Sequence, residues 1–200
     1  MAHNPQQGHQ HAGKSSKAFL NAEQVLKETG LKVGDKFLDI GCGEGYFSVA
    51  ASKIVGNQGK VYAIDTYEQS IIALREQIHR DNINNIEAII ADVTKEIPLT
   101  HAIVDVCLMA NVLHGFLANK EVKSTMTEVA RVMKSGGTLA VVDFKKVEGT
   151  PGPPVSIRMT PEEVEALITG YGFKKKTSVE VGLYHYAIIF CYTPLKQLPR

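Results

Sequence analysis

The run Lys36-Phe37-Leu38-Asp39-Ile40-Gly41-Cys42-Gly43-Glu44-Gly45 decides the fold. A short strand, Lys36–Ile40, enters a glycine-dense turn, and Tyr46–Val55 then takes up helical spacing. Glycines are needed where the backbone turns tightly and a ligand must approach without a Cβ in the way. The spacing is G-x-G-x-G, tighter than the G-x-G-x-x-G of nicotinamide-dinucleotide folds, and Asp39 precedes Gly41 by two residues. An acid against so tight a turn suits a cationic ligand better than a pyrophosphate.

The same alternation continues outward. Val61–Ile64 reads as a second strand, and a helix follows over about Glu68 to Arg80, with Thr66 and Gln69 spaced for a capping box. Ile86–Ile90 and Ile103–Met109 read as the third and fourth strands, the latter apolar enough to be buried on both faces. Lys120–Met133 is an amphipathic helix stopped by Ser135-Gly136-Gly137, and Thr138–Phe144 is a fifth strand. Upstream, Phe19, Leu20, Val25 and Leu26 mark a helix that stops at Gly30. Strands alternating with helices at this spacing predict a parallel α/β sheet.

The ending departs from that rhythm. Residues 145–159 are rich in Pro and Gly and predict a loop, and Thr160-Pro161-Glu162-Glu163 opens a helix with a capping-box signature. Lys174–Val181 and His185–Tyr192 are joined by Gly182-Leu183-Tyr184, short enough to imply a hairpin and hence an antiparallel last strand.

Composition bounds the function. Two hundred residues, 44% hydrophobic and 22% charged, predict one globular domain over 17–200 behind a polar tail, read as mobile, at 1–16. A net charge of +1 gives no electrostatic footprint for nucleic acid, and no apolar run is long enough for a membrane span. Cys42, Cys107 and Cys191 form no C-x-x-C pair, which points to small core residues in a reducing, cytoplasmic setting. His3, His9 and His11 have no Cys or carboxylate partner nearby, so no metal site is expected.

Three strand ends carry the candidate chemistry. Asp65, closing the second strand, stands where a carboxylate accepts two vicinal ribose hydroxyls, although an acid at a helix start is also explained by the dipole alone. Asp92, after the third strand, is placed to accept an adenine amine between apolar neighbours; an ordinary turn Asp is the alternative. His114, just after strand four, is the first candidate for a general base, because imidazole is the side chain suited to moving a proton near neutral pH, with Asp143 at the end of strand five a weaker one.

These motifs resemble those of class I S-adenosylmethionine-dependent methyltransferases over about Leu31 to Tyr192. Asp39-Ile40-Gly41-Cys42-Gly43-Glu44-Gly45 looks like their first motif, Asp65 like their ribose-binding acid and Asp92 like their adenine-contacting acid. Asp105–His114 looks like the fourth-strand motif, and Val132–Gly137 like the turn before strand five, with Ser135 where Pro is usual. Within the class the chain looks most like small enzymes grouped with the ubiquinone/menaquinone-biosynthesis C-methyltransferases; a Gly-Pro-Pro loop and the Tyr184-His185-Tyr186 strand are shared with a subset of them.

The resemblance implies a Rossmann-like seven-stranded sheet, parallel except for its last strand, with helices on both faces. It implies S-adenosylmethionine as cofactor, lined by Asp39, Gly41, Cys42, Gly43, Gly45, Asp65, Thr66, Asp92, Val93 and Asn111. Methyl transfer to a small-molecule acceptor by in-line displacement is the expected activity, in a monomer or homodimer. Arg158, Tyr184 and Tyr186 are the expected substrate contacts, Arg158 for an acidic group. Ala110-Asn111-Val112-Leu113 lacks the Pro-Pro of nucleobase amino-methyltransferases, and the three cysteines are too dispersed for arsenite. Two other readings stay open: a catalytically idle cofactor-binding module, and an NAD(P)-dependent oxidoreductase that leaves the tight turn unexplained.

Overall fold

The computed structural model describes residues 16–195. A 3-10 turn at Ser16–Ala18 leads into α1 (Ala22–Thr29), whose N-cap Asn21 accepts the amide of Gln24 and whose left-handed C-cap is Gly30. Then follow β1 (Lys36–Ile40), α2 (Tyr46–Val55), β2 (Lys60–Asp65), α3 (Glu68–Arg80), β3 (Ile86–Ile90) and β4 (Val104–Ala110). The second half contains α4 (Leu113–Ala118), α5 (Val122–Val132), β5 (Met133–Phe144), α6 (Pro161–Ile168), β6 (Phe173–Glu180) and β7 (His185–Tyr192). The histidines at 3, 9 and 11 and nearly all of the polar tail lie outside the described residues.

The strands form one seven-stranded sheet in the order β3-β2-β1-β4-β5-β7-β6. Neighbours from β3 to β5 pair parallel, whereas β7 pairs antiparallel with both β5 and β6. The hairpin explains this: β6 runs parallel to the rest at the edge, and β7 doubles back into the gap beside β5. Strand order reverses between β1 and β4, and the crevice beyond the carboxyl ends at such a reversal is where open α/β sheets bind ligands.

Alternation along the strands distributes the core over two faces. Leu38 and Ile40 join one apolar layer with Leu113, Met126, Val129 and Val164, under α4, α5 and α6. Phe37 joins the other with Leu26, Phe47, Val55, Ile71 and Leu74, under α1, α2 and α3. Each fully buried side chain of this size contributes about 1.5–3 kcal/mol, so the sheet is held from both faces and its strand ends form a rigid rim.

Three expectations are corrected. No capping box forms at Thr66, which is exposed: the N-cap of α3 is Tyr67, without a side-chain cap bond, because the Asp65 carboxylate accepts the Tyr67 amide at 2.8 Å. The helix expected over Lys120–Met133 begins at Val122, after Lys120 takes a left-handed turn (φ 62°), and a separate α4 precedes it. Finally β5 starts at Met133 and takes Ser135-Gly136-Gly137 into the strand, where the register shift against β4 between Val104 and Val106 absorbs them. The Thr160 capping box forms as written in the sequence, with Pro161 opening α6.

Candidate active site

A cleft of about 540 Å³ opens at the carboxyl ends of the strands, over the β1/β4 reversal. Asp39, Gly41, Cys42, Gly43, Asp65, Thr66, Asp92, Val93, Asn111 and His114 all line it. Its floor is the glycine turn. A Cβ on Gly41 would stand 2.4 Å from Val112 Cγ1, and one on Gly45 2.4 Å from Leu74 Cδ1, and both residues have positive φ. Gly45 therefore serves behind the lining, letting α2 start hard against α3.

Asp65 fixes that turn from β2. Its Oδ2 accepts the Gly43 amide at 2.8 Å while Oδ1 takes that of Tyr67, so one carboxylate ties two strand-to-helix turns together at the cleft. Asp39 lies deeper, 1% exposed, and accepts a 2.6 Å hydrogen bond from Ser48 Oγ. Burial pushes its pKa up to about 7; the Ser48 hydrogen bond opposes the shift and the nearby Asp65 charge adds to it. Asp92 accepts the amide and hydroxyl of Thr94 at 3.0 and 2.6 Å and pairs with Lys95 at 2.9 Å. Partial burial raises its pKa, but the Thr94 and Lys95 bonds outweigh that and hold it below the usual carboxylate range.

The charge balance of the lining is one-sided. Asp39, Glu44, Asp65, Asp92 and Glu121 contribute carboxyl groups, and no Lys or Arg lines the cleft among the described residues. Such a surface repels a pyrophosphate and attracts a cation. Cys42 is also in the lining, but burial, aided by Asp39 and Asp65, pushes its thiol far up, and its Sγ donates to the Gly43 carbonyl. It is no nucleophile.

At the far end of the cleft, β4 and β5 deliver a second set of groups. Asn111 takes a left-handed conformation (φ 60°); its Nδ2 donates to Ser16 Oγ at 3.2 Å, while its Oδ1 is buried without a partner among the described residues. His114 opens α4 and lines the cleft, and its Nδ1 lies 2.8 and 3.1 Å from the two oxygens of Asp143. Asp143 is fully buried behind it and also accepts the backbone amides of His114 and Phe144. In the tautomer that donates Nδ1–H to this carboxylate the lone pair is on Nε2, for which the described residues offer no hydrogen-bond partner.

The expected substrate contacts are not in the lining. Arg158 is 3% exposed and donates to Pro153 O, Lys145 O, Val147 O, Thr150 Oγ1, Thr150 O and Pro151 O. With its N–H groups committed within its own loop, it has none to offer an acidic substrate. Tyr186 is buried and donates to Met159 O at 3.0 Å; Tyr184 packs edge-on against Phe19 at 6.0 Å. Sequence reasoning in turn missed Ser16, Tyr67, Phe116 and Ile157, which do line the cleft. Phe116 sits on a six-residue helix too short to show periodicity, and Ile157 in a Pro-rich loop. Among the described residues no group of three or more His, Cys, Asp or Glu is arranged to hold a metal, and no helix is long and apolar enough to cross a membrane.

Residues 31–175 match the model of the family described as "Methyltransferase domain". A solved S-adenosylmethionine-dependent methyltransferase from Aquifex aeolicus is 33% identical with a TM-score of 0.82, covering 90% of this chain and 95% of that one. A probable cobalt-precorrin-6B C(15)-methyltransferase (decarboxylating) from Saccharolobus solfataricus is 44% identical over 61 residues, 30% of this chain and 31% of its own length. A ubiquinone/menaquinone biosynthesis C-methyltransferase from Francisella philomiragia is 28% identical over 125 residues, 62% of this chain and 48% of its own. The matches thus span about a third to a half of these curated relatives' lengths.

Proposed function

Because the chain belongs to the methyltransferase-domain family and its cofactor is S-adenosylmethionine, we propose that it methylates a small, uncharged acceptor whose attacking atom gives up its proton to His114. The observation that carries this is the pairing of His114 Nδ1 with the fully buried Asp143 at 2.8 Å at the edge of an acid-lined cleft.

The residues present fit the cofactor. A sulfonium and an ammonium group match the carboxyl groups of Asp39, Glu44, Asp65 and Glu121, with Asp92 paired to Lys95, and Asn111 Oδ1, without a partner among the described residues, can accept from an ammonium. Asp65, held in the lining by the Gly43 and Tyr67 amides, supports the ribose reading, and the apolar Val93 and Ile64 in the same lining support an adenine beside Asp92. When bound, the cofactor supplies a methyl group already activated by its positive sulfur.

The chain's own residues supply orientation and proton transfer. The glycine turn and Asp65 hold one end of the cleft rigid, which keeps a nucleophile and a methyl group in line. Asp143 fixes the His114 ring and tautomer, so that Nε2 accepts the acceptor's O–H, N–H or acidic C–H proton as the new bond to carbon forms. Once protonated, the imidazolium is stabilised by the buried carboxylate. With no Lys or Arg in the lining among the described residues to receive a phosphate or carboxylate, and with Arg158 committed elsewhere, an uncharged acceptor fits best.

An oxidoreductase loses its footing here, since a nicotinamide dinucleotide would bring its pyrophosphate against the acids of the turn. An idle binding module has no use for an oriented base. The test is transfer of labelled methyl from S-adenosylmethionine to a panel of neutral hydroxylated acceptors by the protein and by His114→Ala. General-base catalysis of this kind contributes about 10²- to 10⁴-fold, so turnover falls by that much while S-adenosylhomocysteine affinity stays within a few-fold. Undiminished turnover of the variant at every pH would remove His114 from the role.

A further inference from the structure

The segment at 145–157 has the composition of a flexible loop, yet it is organised around one side chain. Arg158 takes up acceptors from Lys145, Val147, Thr150, Pro151 and Pro153 at 2.6–3.3 Å, and the Thr150 hydroxyl donates in turn to Val147 O. No carboxylate is within ion-pair distance of Arg158 among the described residues. A charge buried in this way needs replacement solvation. The loop carbonyls supply it, with the Phe144 ring 5.5 Å from the guanidinium carbon. Loop and arginine are therefore one unit: the carbonyls solvate the charge, and the charge folds the carbonyls inward.

The unit is seated on β5, the strand that bears Asp143. Gly152 (φ 121°) lies against Phe144 so closely that a Cβ there would be 2.6 Å from the ring, and Phe144 directly follows Asp143. The Arg158 amide closes the 3-10 turn Val155–Ile157 by donating to Val155 O, and that turn packs against α4, the helix opened by Leu113-His114. Ile157 is the one side chain of this loop that lines the cleft among the described residues.

From this arrangement we infer that Arg158 is a positioning residue that moulds 145–157 into a wall of the cleft, and that Ile157, presented by that wall to the cleft that His114 also lines, sets the size of acceptor admitted. The inference rests on the methyl-transfer reading of the same cleft. Lysine cannot replace Arg158, since a compact ammonium with three donors cannot reach acceptors spread around a planar fork. A methylene more or less in an apolar pocket changes selectivity by about 10- to 200-fold, which sets the scale for Ile157.

The test uses the full chain with S-adenosylhomocysteine bound. Arg158→Lys should lose hydrogen-exchange protection over 147–157 while its S-adenosylhomocysteine affinity stays within about threefold of the unaltered protein. Unchanged protection overturns the positioning role. With labelled S-adenosylmethionine and neutral hydroxyarenes of one, two and three rings, Ile157→Ala should raise the three-ring to one-ring ratio of kcat/KM about tenfold or more, and Ile157→Phe should lower it. A ratio unmoved in both variants overturns the role of Ile157. A protein that binds S-adenosylhomocysteine yet methylates none of the panel counts against the acceptor reading and with it the size-setting role, while the exchange result still decides Arg158 by itself.

Discussion

The two ends of the cleft are built by different means. At the β1–β2 end the groups come from short consecutive runs, Asp39 to Gly45 and Asp65 to Tyr67, and the backbone itself sets the geometry through positive-φ glycines and carboxylate-to-amide bonds. At the β4–β5 end they come from segments far apart in sequence: His114 meets Asp143 across 29 residues, Asn111 meets Ser16 across 95, and Ile157 enters from an irregular loop. The first construction is a cradle fixed by main-chain conformation. The second is a set of side chains held by one another, and therefore free to vary without disturbing the cradle.

Asp143→Asn tests that contrast most severely. Both carboxylate oxygens accept from His114, through its amide or Nδ1, and Oδ1 also accepts the Phe144 amide, so an amide NH₂ must face a donor at one of them. Turnover should fall about 100-fold or more, with about 1–3 kcal/mol lost in stability and cofactor affinity nearly intact. Loss of cofactor binding alongside turnover would show that the two ends are not separable. Gly45→Ala probes the opposite end. A left-handed alanine whose Cβ overlaps fully buried Leu74 should cost about 2–4 kcal/mol in chemical denaturation and weaken S-adenosylhomocysteine at least tenfold. A variant with ordinary stability and binding would mean that the turn is far softer than it looks.

Asp39→Asn gives a smaller effect with opposite signs in two measurements. Its folded pKa of about 7 lies above the ordinary value of 3.8, so the folded state binds the extra proton. Its favourable contribution is complete at low pH and is lost as pH rises from about 4 towards 7 and beyond. The variant should therefore melt several °C higher than the unaltered protein at about pH 8, with little difference at about pH 4. It should also bind S-adenosylmethionine roughly tenfold more weakly above pH 7, where a unit charge near a cation is worth about one pKa unit of interaction. Equal melting temperatures across that range would contradict an uncompensated charge at this position.

The same contrast explains what could be read from the chain. Strand spacing, the glycine turn, the place of Asp65 at the end of β2 and the closing hairpin are legible because each is a local pattern with a backbone cause. Thr66 misled because a capping box needs an unengaged turn, and the Asp65 carboxylate had already taken the Tyr67 amide. Arg158 misled because a lone arginine near the strand ends looks like a substrate anchor until its loop carbonyls are seen around it. His114 and Asp143 are both candidates from the sequence, but nothing in a linear sequence says that a residue of α4 and one at the end of β5, 29 apart, face each other.

Calorimetric titration with S-adenosylmethionine, S-adenosylhomocysteine and NADH in parallel, repeated from about pH 5.5 to 7.5, tests the central claim most directly. An acid-lined cleft whose deepest carboxylate ionises near pH 7 should bind both sulfur ligands, tighten on S-adenosylmethionine as pH rises through that range, and ignore NADH. Binding of NADH, or no binding of either sulfur ligand, would contradict it.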